Sequence, residues 1–183
     1  MITFDDLSGG DQVTNQYLGE GVLFEGDLGV AGPSIWTNPV SGSNSVFYDD
    51  PNGVLASFFA PGSGEMATTD YVAFTPTDAS HYLTSFKMYA YDISGLQIGF
   101  ASTIVESTGV YLASEDPKVS ISVAGIHSVL LTGNLTTSTG NYGIEGDNFE
   151  FGSLTPITAV PLPGAVWLML SGLMVLIAGR RKG

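Results

Sequence analysis

The sequence predicts an all-β protein, an antiparallel β-sandwich followed by one C-terminal transmembrane helix. Three observations carry that expectation. Short stretches rich in β-branched and aromatic residues recur between clusters of Gly, Pro, Asn, Asp and Ser. Two of these stretches alternate cleanly, as a half-buried strand must. Lys and Arg together number only 5 in 183 residues, so surface helices have little to be built from.

Read in order, the expected strands fall at 2–4, 13–17, 21–24, 46–48, 55–59, 71–74, 84–91, 96–101, 109–112, 119–123, 128–132 and 148–151. Between them lie turn signals such as Pro51-Asn52-Gly53, Pro61-Gly62-Ser63-Gly64 and Ser94-Gly95. In 84–91, Phe86, Met88 and Ala90 share one face while Lys87, Tyr89 and Tyr91 share the other. In 119–123, Val119, Ile121 and Val123 point one way and two serines the other. One dry face and one wet face imply two packed antiparallel sheets. The body is expected over residues 1–152, a short linker over 153–159, and a distinct tail over 160–183.

Charge narrows the function classes. The chain carries 18 Asp and Glu against 5 Lys and Arg, a net −13. Arg180, Arg181 and Lys182 cluster at the extreme C-terminus, so the body holds only Lys87 and Lys118 against all 18 acids, a net −16. Such a surface repels phosphate backbones, and no nucleic-acid partner is expected. With no cysteine there is no disulfide, thiol chemistry or cysteine-based zinc site.

The tail is uncharged from residue 160 to residue 179 and almost wholly apolar. Twenty helical residues span about 30 Å, the thickness of a bilayer's hydrocarbon core. A transmembrane helix is expected over 164–179, with Pro161 and Pro163 at its start, where proline is tolerated. The basic end 180–183 then remains cytoplasmic and the acidic body faces outward. This arrangement, Val160-Pro161-Leu162-Pro163, an apolar run with Trp167, then Arg180-Arg181-Lys182, resembles a PEP-CTERM sorting signal in a VPLP spelling, with Leu162 where the namesake has Glu. The resemblance implies processing by an exosortase near Val160–Pro163, an inner-membrane-anchored precursor, and delivery to the cell surface or extracellular matrix of a Gram-negative bacterium. Export by that route needs an N-terminal signal peptide, and residues 1–6 are neither basic nor apolar, so the expectation is a start that lies inside a longer precursor.

The opening ITFDDL and VTNQYLGEGVLFEG, with the closing GIHSVLLTG and YGIEGDNFEFG, is similar to jelly-roll domains of PEP-CTERM proteins and, more loosely, to galactose-binding-like carbohydrate modules. In such modules the first and last strands pair, and a structural calcium is held by acids near the first strand and an Asp in the last. The resemblance puts Asp5 and Asp6 at the first position and Asp147 at the second. Glu145 and Asn148 are further oxygen donors nearby, and Ca²⁺ takes six to eight such ligands. The alternative is that these acids are solvated turn residues.

Catalysis finds little support. His81 and His127 have no adjacent acid motif, no G-x-S-x-G elbow occurs, and Gly19, Gly21 and Gly26 lead into no helix that would cradle phosphate. No enzyme activity is expected. Trp36 sits in a polar, Gly- and Pro-flanked segment, and with Tyr48 and Asp49 it is a candidate glycan contact, aromatic face against sugar face; Tyr89 with Tyr91 extends the candidates. Trp36 as a cap over the core is the competing assignment. The expected function is thus a non-enzymatic exported surface or matrix protein associated with exopolysaccharide or biofilm. A self-assembling subunit of a filament or layer is the second reading, and an anchored glycan hydrolase the third.

Overall fold

The computed structural model describes residues 1–31, 41–48, 52–77, 84–105, 118–137, 140–142 and 144–157. The strands in chain order are β1 (Val22–Glu25), β2 (Leu28–Ala31), β3 (Ser45–Tyr48), β4 (Val54–Phe58), β5 (Ala67–Thr77) and β6 (Thr84–Tyr91). They continue with β7 (Gln97–Val105), β8 (Val119–Ile126), β9 (Ser128–Thr137), β10 (Gly140–Tyr142), β11 (Ile144–Phe151) and β12 (Thr155–Pro156). One sheet runs β1-β4-β9-β6-β7 with β10 beside the end of β9, and the other runs β12-β5-β11-β3-β2 with β8 on β5. Every pairing between these strands is antiparallel. The chain passes repeatedly from one sheet to the other, in the manner of a jelly-roll-like β-sandwich.

The two sheets close over an aromatic core. Phe149 on β11 meets Phe24 on β1 edge-on at 5.3 Å and stacks on Phe58 of β4 at 6.3 Å, while Phe74 of β5 stacks on Phe86 of β6 at 5.5 Å. Phe4, Phe24, Phe58, Phe86 and Phe149 are all fully buried. Such rings contribute both large buried area and a preference for edge-on or offset contact, which fixes how the sheets register on one another.

Several expected strands differ in the structure. Segment 2–4 is reduced to one bridge, in which Ile2 and Phe149 exchange both backbone hydrogen bonds at 2.8 and 3.0 Å. Segment 13–17 is no strand. There the Thr14 N–H donates to the Gln16 side chain at 2.6 Å, and the chain turns into a single 3₁₀ turn at Leu18–Glu20. Polar side chains bonding their own backbone compete with the ladder, and here they win. The expected linker begins as structure: Thr155–Pro156 pairs with β5 and the Ile157 N–H donates to Met66 at 2.8 Å. The expected strand 109–112 lies outside the described residues, as does the tail 160–183 with Val160, Pro161, Leu162, Pro163, Arg180, Arg181 and Lys182. Among the described residues no helix is long and apolar enough to cross a membrane.

Candidate functional site

Two features of the sandwich merit a functional reading. The first is an acidic clasp at one end. In β11 the register with β5 shifts between Asp147 and Glu150, and Asn148 at this bulge has φ 54°. Phe4, one residue before Asp5, has φ 60°, and these are the two non-glycine residues with positive φ among those described. Bulges and left-handed non-glycine residues re-aim side chains and persist only where surrounding contacts hold them. Here they turn Asp5 and Asp147 toward residues 41–44.

The clasp is closed by hydrogen bonds to that segment. Asp5 Oδ1 accepts the N–H groups of Ser43 at 2.7 Å and Asn44 at 3.1 Å. Asp147 Oδ2 accepts the Ser41 N–H at 2.8 Å and its hydroxyl at 3.2 Å, and the same hydroxyl lies 2.8 Å from Asn148 Oδ1. The Asn44 amide donates to the carbonyls of Phe4 and Leu7 at 3.2 and 2.7 Å. Gly42 has φ 58°, and a Cβ there would overlap the Asp5 carboxylate.

Electrostatically the two acids differ. Asp147 is 0% exposed. Burial pushes its carboxyl above the ordinary Asp value, the donors of Ser41 and Asn148 pull it down, and the Asp5 charge pushes it up again. Burial also pushes Asp5 up, but the donors from Ser43, Asn44 and Thr3 outweigh it and leave it below the ordinary value. Asp6 is turned away, accepting the Tyr17 hydroxyl at 2.5 Å. Burial first, and then Asp6, hold that phenol far above the usual tyrosine range. The Glu145 backbone pairs with Phe47 and Thr77 two positions before Asp147. Among the described residues no three acidic or histidine side chains converge as a metal cage. The clasp instead gathers two carboxylates, an amide oxygen and a hydroxyl, a hard-oxygen set of the kind that suits calcium.

The second feature is the outer face of the first sheet. Leu55 of β4 lies opposite Leu130 of β9, Leu130 opposite Tyr89 of β6, and Tyr89 opposite Phe100 of β7. The Tyr89 and Phe100 rings lie 5.0 Å apart, and Phe100 is 51% exposed. Polar rows flank this apolar row on both sides. Ser57, Ser128, Tyr91 and Gln97 form one, and Thr132, Lys87 and Ser102 the other. Four adjacent strands span three gaps of ~4.8 Å, so the row is about 14 Å long.

Of the other sequence candidates, Trp36 and Asp49 lie outside the described residues, and so does His81. Tyr48 is in β3, its backbone opposite Leu28 and Ile144 in the second sheet. His127 packs edge-on against Phe59 with Nδ1 2.9 Å from the Ala67 carbonyl, a structural setting. Sequence reasoning singled out Tyr89 and Tyr91 but not Leu55, Leu130 or Phe100. Phe100 sits between Gly99 and Ala101, where the run is apolar on both faces and alternation gives no direction. Ser41 and Asn44 were missed because their clasp partners lie 106 and 39 residues away in the chain and leave no local pattern.

No protein-family model matches the chain, and no curated protein matches it. Among solved structures the chain is similar to the carbohydrate-binding module CsCBM6-3 from Clostridium stercorarium, solved with cellobiose. That match has 20% identity and a TM-score of 0.33, covering 68% of this chain and 86% of that one. It is also similar to the carbohydrate-binding module TmCBM61, solved with β-1,4-galactotriose, at 16% identity and a TM-score of 0.40, covering 80% of this chain and 99% of that one. The likeness is one of β-sandwich architecture; the clasp and the outer face are read from this chain's own residues.

Proposed function

We propose that the protein is a non-catalytic extracellular surface or matrix module that holds a neutral polysaccharide against the outer face of its first sheet. The observation that carries this reading is the apolar row Leu55, Leu130, Tyr89 and Phe100 between two hydroxyl- and amide-bearing rows. A sugar ring offers the same division, an apolar face with hydroxyls around its rim, so stacking and rim hydrogen bonds are met together. A body of net −16 disfavours polyanionic chains, which points to a neutral glycan. In this reading calcium at Asp5, Asp147 and Asn148 is a structural brace that relieves the buried charge of Asp147. The tail delivers the module to the cell surface through exosortase processing at Val160–Pro163, and biofilm exopolysaccharide is the natural partner.

Affinity electrophoresis of the full chain through gels containing neutral β-glucans or β-galactans tests the glycan face. Retardation in wild type that is lost in Tyr89→Ala and Phe100→Ala supports it. Equal retardation of both variants, or none in wild type, overturns it.

A second reading, self-assembly into a filament or layer, is favoured by β7, the last strand of its sheet among the described residues. It carries exposed Phe100 and Ile104, the latter 58% exposed, next to Leu96 at 63%. Concentration-dependent sedimentation that Ile104→Lys abolishes without affecting glycan retardation would favour this reading.

A further inference from the structure

The second sheet contains a separate polar cavity of about 310 Å³, at the lower end of the ~300–1,000 Å³ typical of small-molecule sites. It lies where β5 and β8 fall out of register between Thr69 and Tyr71, so that Asp70 stands at the irregularity opposite Ala124 and Gly125. Gly125 has φ 88°, which lets β8 turn away there. The opposite wall is β12 and the residues leading to it: Thr155 is the direct cross-strand partner of Thr68, and Ser153 lies beside Asp70. Gly152, next to Ser153 in the chain, donates its N–H to the Tyr71 carbonyl at 2.9 Å, and a Cβ on it would lie 2.6 Å from Asp70 Oδ1.

The polar groups divide into engaged and available ones. The Thr69 hydroxyl is buried and bonded to the backbone of Tyr71, at 3.2 Å to its carbonyl and 3.4 Å from its N–H. Asp70 and the hydroxyls of Thr68, Ser153 and Thr155 have no side-chain hydrogen bond among the described residues. One carboxylate with two acceptor oxygens therefore shares the lining with three free hydroxyls, and no aromatic ring and no cation is among these residues.

We propose that this cavity binds a neutral saccharide end-group through a vicinal diol, the two hydroxyls donating to the two oxygens of Asp70 while Thr68, Ser153 and Thr155 bond the remaining rim. A carboxylate presents two acceptors side by side, which matches a pair of O–H donors. Lack of an aromatic surface excludes stacking, so the ring enters edge-on, as a chain terminus does. This half-open pocket on the second sheet would thus take a terminus, whereas the flat face of the first sheet lies along a chain; the pocket does not depend on that face.

Amide chemical-shift mapping of the full chain in detergent, titrated with methyl β-D-galactopyranoside, methyl α-D-glucopyranoside and methyl α-D-mannopyranoside, tests the proposal. Saturable shifts at Gly125, Gly152 and Ser153 with at least one glycoside are expected. Asp70→Ala should weaken that binding about tenfold or more, as loss of charge-assisted bonds implies. Gly152→Ala, which crowds the carboxylate without removing it, should weaken it in the same direction, and Phe100→Ala should leave it unchanged. Absence of shifts with all three probes, shifts that survive Asp70→Ala, shifts that Phe100→Ala removes, or shifts reproduced by calcium chloride alone would each overturn it.

Discussion

Asp147 and Ser41 are joined by two hydrogen bonds to a single carboxylate oxygen, from the Ser41 amide at 2.8 Å and from its hydroxyl at 3.2 Å. This contact ties the bulged strand β11 to the segment that leads into β3. It is also the point at which a fully buried acid must be satisfied by neutral donors alone, or by an ion.

Replacing Asp147 with Ala leaves the Ser41 N–H without its acceptor, at a cost of about 1–3 kcal/mol. Urea unfolding in chelator should show that loss. If calcium sits in the clasp, the loss measured in calcium is larger still, since binding to the native state adds to its stability. Equal losses in calcium and in chelator would remove the ion from the clasp and leave a purely hydrogen-bonded one.

The two clasp acids respond to pH in opposite senses. Asp147 has a folded pKa above the ordinary 3.8, so its ionisation disfavours the fold, and stability declines as pH rises from about 3.8 through the folded value. Asp5 has a folded pKa below 3.8, so its contribution is present above 3.8 and is lost as pH falls through the folded value. Asp147→Asn should flatten the decline on the upper side and Asp5→Asn the loss on the lower side, both read from urea midpoints across pH. The opposite assignment of the two slopes would refute the clasp electrostatics.

Gly42→Ala tests the closeness of the clasp. A left-handed alanine costs about 1–2 kcal/mol, and its Cβ would in addition displace the Asp5 carboxylate. Gly62→Ala is the comparison: it too has positive φ, 75°, but open space around the position. A loss no greater at residue 42 than at residue 62 would show that Asp5 does not depend on that approach.

Phe149 and Phe100 separate structure from contact. Phe149→Ala should destabilise by about 3–5 kcal/mol, because Phe149 touches Phe24, Phe58, Phe74 and Phe151 in the core. Phe100→Ala should change stability by no more than about 0.5 kcal/mol while removing polysaccharide retardation. A large stability loss at Phe100 would make it part of the core instead.

The tail proposal is tested by fractionation. Removing residues 160–183 should move the protein from the membrane fraction to the soluble one, and membrane retention of the shortened chain would refute an anchoring role.

The sandwich was legible where alternation is strict. Residues 84–91 read as a strand with Phe86, Met88 and Ala90 inward, and the structure buries those three. Strand β2 was invisible because Leu28–Ala31 follows a Gly- and Asp-containing turn and is only four residues long. Strand β10, with the sequence Gly-Asn-Tyr, has no β-branched residue at all. At the clasp, Asp5 and Asp147 were readable as acids near the two ends of the body. What could not be read was that Asp6 serves Tyr17, or that Ser41 and Asn44 supply the donors. Those choices depend on two left-handed residues, Phe4 and Asn148, whose conformation the surrounding fold imposes and their own side chains do not announce.

The placement of β11 has a consequence for biosynthesis. This strand lies between β5 and β3 in the interior of its sheet, although it is the last long strand among the described residues. A growing chain therefore carries an open slot in that sheet until residues 144–151 have emerged. Ile2 waits equally long for Phe149. Native pairing of β11 with β5 and β3 is thus deferred to the end of synthesis.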